Sequence, residues 1–182
     1  MRIHITGNAG SGKTTLAREL GELLDIKVYG LDKIVWKENW IATPGEERCL
    51  LEKDLASRPV WIIEGVSSIV RKSADIVIFL DMPRHICIKR GILRSFKYLF
   101  SSRPELPKNC PEIKILHRLV KIIWQFNRYA KPRIISDINK KDNITISNNS
   151  ELNSFVEIVR HNKSIIGRLR LDSQTFGLSA RY

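Results

Sequence analysis

The chain of 182 residues has few cysteines and no long apolar run. Its three cysteines, Cys49, Cys87 and Cys110, are widely spaced and form no C-x-x-C pair, so neither a zinc site nor a disulfide framework is predicted. No run of about 18 apolar residues occurs, which argues against a transmembrane helix. Met1 leads straight into a predicted strand, without the apolar stretch of a secretory signal. We therefore expect a cytoplasmic protein with reduced thiols.

Acidic residues are scarce in the middle of the chain. Residues 84–141 contain 15 Lys and Arg but only 3 Asp and Glu, a net charge of +12, whereas residues 1–83 and 142–182 carry net charges of −1 and +1. Such a field attracts a polyphosphate, a nucleic acid or a membrane surface. No helix-turn-helix, zinc or aromatic RNA-binding motif accompanies the charge, so nucleic acid is the alternative partner and not the favoured one.

Strand-like and helix-like segments alternate along the chain. The dense apolar runs at 59–65 and 75–83 are typical of strands buried on both faces of a parallel sheet. Because parallel neighbours need helical crossovers, the order predicts a three-layer, doubly wound α/β domain over residues 1–160 with a five-stranded parallel sheet. The predicted strands are 2–6, 27–31, 59–65, 75–83 and 143–147, and the predicted helices are 12–24, 44–57, 84–100, 112–130 and 150–160.

Details of the last two helices follow from local pattern. Ser150 is the expected N-cap of the closing helix. Helix 112–130 is basic, and its apolar residues repeat at helical spacing, so we expect them to pack on the sheet, with docking on a membrane surface as an alternative. These residues are Leu116, Leu119, Val120, Ile123 and Trp124. Residues 161–182 form a tail to which the pattern assigns no structure.

The stretch GNAGSGKTT fits the phosphate-loop spacing G-x-x-x-x-G-K-[ST], between a predicted strand and a predicted helix. Glycines let successive backbone N–H groups turn toward phosphate oxygens at the helix N-terminus. We expect Lys13 to reach the β- and γ-phosphates of ATP as a catalytic residue, and the Thr14 hydroxyl to bind Mg²⁺. The predicted loop consists of Gly7, Asn8, Ala9, Gly10, Ser11, Gly12, Lys13, Thr14 and Thr15.

Carboxylates end three of the predicted strands or follow them. Parallel strands leave their C-terminal ends on the side of the phosphate loop, so Glu64 and Asp81 are candidates for a metal-side acid, and Glu64 is the stronger one. Asp32 follows the second strand, where it could bind or deprotonate the hydroxyl of an acceptor. Trp36 and Trp40 lie just beyond Asp32 and are candidates for contact with the acceptor, or simply for packing.

Two arginines share one face of the basic helix 84–100. Arg90 and Arg94 lie four residues apart, and arginines supplied in this way stabilise charge on a transferred phosphoryl group. A solvated basic face is the alternative for most other arginines of the central stretch.

These motifs together resemble P-loop small-molecule kinases of the adenylate kinase and shikimate kinase kind, and most closely the bacterial topology modulation proteins, from residue 1 to about residue 160. WIIEG is similar to the segment of adenylate kinases in which an acidic residue and a glycine end the third strand, which implies substrate contacts by Glu64 and Gly65. FLDMPRHICIKRGILR places Arg90 and Arg94 on arginines that hold nucleotide phosphates. GLDKIVW followed by PGEER is more like shikimate kinases, which implies that Asp32 and Arg48 contact the acceptor.

The chain departs from adenylate kinases in three places, one of which is Glu64, where the commoner residue is Asp. VSSIVR follows Gly65 where they have a Phe-Pro-Arg sequence, and the basic stretch 95–133 replaces their lid motifs. The resemblance implies a P-loop NTPase fold with a helical lid over about 95–133, and an ATP- and Mg²⁺-dependent kinase that acts on a small-molecule acceptor. The alternative is an ATP-dependent, DNA-binding regulator of DNA topology.

Overall fold

The structure is a computed structural model and describes residues 1–102, 106–138 and 143–162. Its main sheet has five strands in the order β2-β5-β1-β6-β7, and every neighbouring pair is parallel. This confirms the predicted five-stranded sheet. The strands are β1 (Arg2–Gly7), β2 (Val28–Gly30), β5 (Trp61–Glu64), β6 (Ile76–Leu80) and β7 (Asn143–Ile146), and a separate antiparallel hairpin is formed by β3 (Trp36–Lys37) and β4 (Ile41–Ala42).

Helices connect the parallel strands. Two single turns of 3₁₀ helix, Glu38–Trp40 and Glu112–Lys114, accompany them. The helices are α1 (Lys13–Leu24), α2 (Asp32–Val35), α3 (Gly45–Ser57), α4 (Ser68–Ser73), α5 (Arg84–Lys97), α6 (Leu116–Tyr129), α7 (Lys131–Ile138) and α8 (Asn149–His161). None of the described helices is long and apolar enough to cross a membrane.

The core lies on both faces of the sheet. Alternate residues of β1 and β6, including Ile5 and Ile78, pack with Leu16 of α1 and Phe155 of α8. The opposite face is covered by a second apolar cluster, drawn from β5, β6, α4, α6 and α7. Because both faces of the central strands are buried, these strands read as continuous apolar runs, and the three-layer prediction is confirmed.

The basic region after α5 differs from the prediction. The predicted helix 112–130 corresponds to α6, but its first turn is a separate 3₁₀ turn, and the helix α7 that follows it was not predicted. Leu119 and Ile123 do pack into the core, but Trp124 is 60% exposed and its ring lies 4.5 Å from the Arg84 guanidinium. Including Trp124 in the buried stripe was wrong, because Phe126 takes the corresponding place on the buried face.

The N-cap prediction at Ser150 was also wrong. Helix α8 begins at Asn149, and the side chain of Asn148 accepts a hydrogen bond from the Glu151 backbone N–H at 2.9 Å. The Glu151 carboxylate in turn accepts from the Ser147 backbone N–H at 2.7 Å. This reciprocal arrangement satisfies two backbone donors at once, which a cap at Ser150 would not do. Of the predicted tail 161–182, residues 163–182 lie outside the described part.

Candidate active site

The phosphate loop lies between β1 and α1, as its motif predicted. Gly10 has φ 76° and Gly12 has φ 103°, in the left-handed region that favours glycine. A Cβ at Gly10 would lie only 2.3 Å from the carbonyl oxygen of Cys87, in the first turn of α5. Glycine at this position therefore lets α5 pack directly against the loop.

Lys13 is folded back over the loop that precedes it. Its Nζ donates to the carbonyl oxygen of Asn8 at 2.8 Å. Burial lowers the pKa of Lys13, and the carboxylates of Glu64 and Asp32 oppose that shift, while Arg94 adds to it. Lys13 thus interacts electrostatically with Asp32, Glu64 and Arg94. All four are predicted site residues.

Thr14 and Glu64 form the centre of the predicted metal site. The Thr14 hydroxyl donates to Glu64 Oε1 at 3.1 Å, and Glu64 is buried at the end of β5. Gly30, at the end of the neighbouring strand β2, leaves room for this carboxylate, because a Cβ there would come within 3.3 Å of Glu64 Oε1. A hydroxyl and a carboxylate oxygen are the hard donors that Mg²⁺ prefers, so these residues fit that ion.

One of the two predicted arginines, Arg90, contacts the loop from α5. Arg90 Nη1 donates to the carbonyl oxygen of Ser11 at 3.3 Å, and Arg90 Nη2 donates to Asn149 Oδ1 at 2.7 Å. Arg94, one turn later, acts electrostatically on Lys13. The weaker metal-side candidate, Asp81, instead pairs with Lys131 Nζ at 2.7 Å.

The predicted acceptor residues border the C-terminal ends of β2 and β5. Asp32 is the first residue of α2 and is separated from the end of β2 by Leu31 alone. Gly65 follows β5 with φ 136°, and its carbonyl oxygen accepts from His4 Nε2 at 3.1 Å. Arg48 Nη2 donates to the carbonyl oxygen of Val66 at 3.3 Å, so its guanidinium lies beside the same segment.

Arg48 is held by a buried carboxylate that the sequence analysis missed. Its Nε donates to Glu52 Oε1 at 2.6 Å, and Glu52 Oε2 accepts from the Ser67 hydroxyl at 2.6 Å. Ser67 also caps α4 by accepting from the Val70 backbone N–H. The spacing of Arg48 and Glu52 on one helix was a signal for this pair, because residues four apart share a helix face.

Trp36 and Trp40 pack against each other and not into open space. Their ring centroids lie 5.4 Å apart in an edge-to-face arrangement. Trp40 is buried in a small cluster with Leu106 and Cys110, and its Nε1 donates to the carbonyl oxygen of Pro111 at 2.9 Å. Trp40 therefore has a packing role, while contact of the partly buried Trp36 with an acceptor stays a prediction.

A second feature that was not predicted from sequence is the contact of Asn8, in the phosphate loop, with helix α6. Its Nδ2 donates to the carbonyl oxygen of Ile123 in α6 at 3.0 Å, across 115 residues of sequence. The phosphate loop is therefore tied to α6 as well as to α5. No local pattern indicates such a contact, because its partner is a backbone carbonyl.

No known protein family and no curated protein matches the chain. Among solved structures, it is similar to shikimate kinase from Acinetobacter baumannii in complex with shikimate, with 21% identity, a TM-score of 0.55, and coverage of 94% of this chain and 95% of that one. It is also similar to shikimate kinase from Bacteroides thetaiotaomicron, with 14% identity, a TM-score of 0.53, and coverage of 88% and 97%. These similarities show the fold of P-loop kinases. The closer resemblance to topology modulation proteins stays a prediction.

Proposed function

We propose that the chain is an ATP-dependent phosphotransferase that moves the γ-phosphate to a small-molecule acceptor. The observation that supports this most is the contact between the Thr14 hydroxyl and the Glu64 carboxylate, beside Lys13 and at the mouth of a phosphate loop. A purely structural Gly/Ser turn has no need of a buried carboxylate aimed at the first turn of the following helix. Phosphoryl transfer does need one, next to the metal that neutralises the phosphates.

The chain's own residues would act by position and charge. With ATP bound, Lys13 would leave the Asn8 carbonyl and contact the β- and γ-phosphates, and the loop N–H groups would hold their oxygens. Arg90 and Arg94 would face charge that develops on the transferred group. Thr14 and Glu64 would hold Mg²⁺, which neutralises phosphate charge when it is bound.

The acceptor would lie over the C-terminal ends of β2 and β5. Asp32 would take the proton of the acceptor hydroxyl as its oxygen bonds to the γ-phosphorus, and the bond to the bridging oxygen of ADP would break. Arg48, Trp36 and Gly65 would line the acceptor side. The basic segment 95–133 would be the lid of a kinase-like domain spanning 1–160, and its closure would exclude water from the transfer.

Matched variants test this assignment. Lys13→Ala should weaken ATP binding by roughly 10- to 100-fold, because a charge-assisted contact to phosphate is lost. Asp32→Ala should spare ATP binding and lower kcat for acceptor phosphorylation by roughly 10²- to 10⁴-fold. Lys53→Ala, at an exposed position of α3, is the control and should change neither.

Glu64→Gln separates the metal role from the nucleotide role. It keeps the shape of the side chain and removes its charge, so the Mg²⁺ dependence of ATP binding should weaken while metal-free binding changes little. If Lys13→Ala leaves ATP binding unchanged, the assignment of residues 7–15 as an ATP-binding loop is wrong. If DNA stimulates ATP hydrolysis and no small molecule tested is phosphorylated, the alternative of a DNA-binding regulator is favoured.

A further inference from the structure

Four large apolar side chains are exposed around the C-terminal end of α5, and together they define the α5 patch. Leu93 is 60% exposed, Phe96 64%, Phe100 82% and Ile113 50%. The Ile113 backbone N–H donates to the Leu99 carbonyl oxygen at 3.3 Å, which places Ile113 beside the turn that carries Phe100. Grouped apolar exposure of this kind marks an interaction site more often than it marks an ordinary surface.

The fold itself cannot cover the α5 patch by turning the helix. The other side of α5, which carries Cys87, Gly91 and Ser95, is buried. A Cβ at Gly91 would lie 3.2 Å from the Ile123 side chain, and the Ser95 hydroxyl donates to the buried Glu112 carboxylate at 3.0 Å. The helix is therefore fixed by close packing on α6 and on the 3₁₀ turn, and the patch faces solvent.

Exposed charge around the α5 patch is positive in the described residues, and the Glu112 side chain beside Ile113 is buried. Residues 82–104 contain six Lys and Arg and no Asp or Glu. Of these, Lys89 and Lys97 are exposed on α5. Further along the chain, Lys114 is exposed next to Ile113. Arg90 is different, since it turns toward the phosphate loop and bonds Ser11. An apolar patch with a lysine rim is complementary to a surface that is apolar inside and anionic outside.

We propose that the α5 patch docks on an anionic lipid surface. The two phenylalanines, Leu93 and Ile113 would enter the boundary between headgroups and acyl chains, and the rim lysines would lie among anionic headgroups. Aliphatic side chains favour this partner over single-stranded nucleic acid, because Leu and Ile cannot stack on bases but gain from burial among acyl chains.

Docking in this way would leave the nucleotide site open. Arg90 and Arg94, which we assign to that site, lie on a different side of α5 from Phe96. The inference therefore does not rest on the proposed function, and a chain that binds no ATP could still bind vesicles.

Vesicle co-sedimentation of the full chain tests the proposal. Wild type should sediment with phosphatidylcholine vesicles that contain phosphatidylglycerol, less with pure phosphatidylcholine, and less again at high salt. Phe96→Ser combined with Phe100→Ser should lower the partition coefficient at least roughly tenfold. Lys89→Gln or Lys97→Gln should each lower it roughly fivefold.

The controls use the same residue types elsewhere on the surface. Leu50→Ser and Lys53→Gln change exposed positions of α3 and should leave partitioning unchanged. Thermal unfolding of every variant checks that the fold is kept. The proposal is wrong if wild type does not sediment with anionic vesicles. It is also wrong if Leu50→Ser weakens vesicle binding as much as the two phenylalanine substitutions do. It is equally wrong if those phenylalanine changes abolish a dimer or DNA binding while wild type stays off vesicles.

Discussion

His4 gives the chain a stability that should depend on pH. The side chain is fully buried in β1, and its Nε2 lies 3.1 Å from the Gly65 carbonyl oxygen, to which the neutral ring donates. Burial lowers the pKa of His4 from 6.5 to about 3, and the nearby Arg71 and Lys13 charges add to that shift, while the hydrogen bond to Gly65 opposes it. Folded His4 therefore stays neutral at pH 5.

The sign and size of the effect follow from proton binding. Between pH 6.5 and pH 3 the unfolded chain holds one more proton on His4 than the folded chain, so stability rises with pH and is lost as pH falls below 6.5. From about pH 7.5 to about pH 5 this loss is about 2 kcal/mol. For a chain of this length, that corresponds to a decrease in Tm of roughly 4–8 °C.

Urea denaturation of wild type and of His4→Gln at the two pH values measures the contribution of His4 to the free energy of unfolding. Glutamine can still donate to the Gly65 carbonyl but has no proton to gain, so other groups contribute equally to both proteins. The free energy of unfolding of wild type should fall by about 2 kcal/mol more than that of the variant. Equal losses in the two proteins, or an NMR titration of His4 near its ordinary pKa of 6.5, would show that burial does not keep the ring neutral.

Two further substitutions test the packing of the site. Gly10→Ala should lower the free energy of unfolding by about 1–3 kcal/mol and weaken ATP binding, because its Cβ would meet the Cys87 carbonyl at a left-handed φ. The control is Gly45→Ala, whose Cβ has nothing within 4 Å and which should be neutral. Urea and ATP titrations measure both variants. Glu52→Gln should lower the free energy of unfolding by about 1–3 kcal/mol and leave Arg48 less firmly held. Hydrogen exchange in residues 45–57 should then increase. Unchanged exchange would show that the Glu52 charge is not needed to position Arg48.

The central fold could be predicted from sequence because its signals are local. Apolar runs bounded by polar residues indicate buried strands, and the glycine spacing of the phosphate loop states which strand and helix it joins. The N-cap of α8 was also within reach, since Asn148 and Glu151 have the spacing of a capping box. Ser150 is also of a common N-cap type, but it has Asn153 and not Glu or Gln three residues later.

The remaining features depend on contacts between distant residues. The bond from Asn8 to the Ile123 carbonyl spans 115 residues, and that from Trp40 to the Pro111 carbonyl spans 71. A backbone carbonyl carries no residue identity, so no sequence pattern identifies it as a partner. Exposure of Trp124 was missed for a similar reason, because Arg84 provides an alternative surface for its ring.

Tracing the γ-phosphate would show whether the chain is a kinase. The protein would be incubated with Mg²⁺ and ATP labelled at the γ-phosphate, together with nucleosides, nucleoside monophosphates and small hydroxy-metabolites, with duplex DNA in a separate reaction. The proposed kinase activity predicts that label moves to one small acceptor, and that Lys13→Ala and Asp32→Ala each reduce this transfer, the latter by at least roughly 10²-fold. Label found only as inorganic phosphate, or released only when DNA is present, would contradict it.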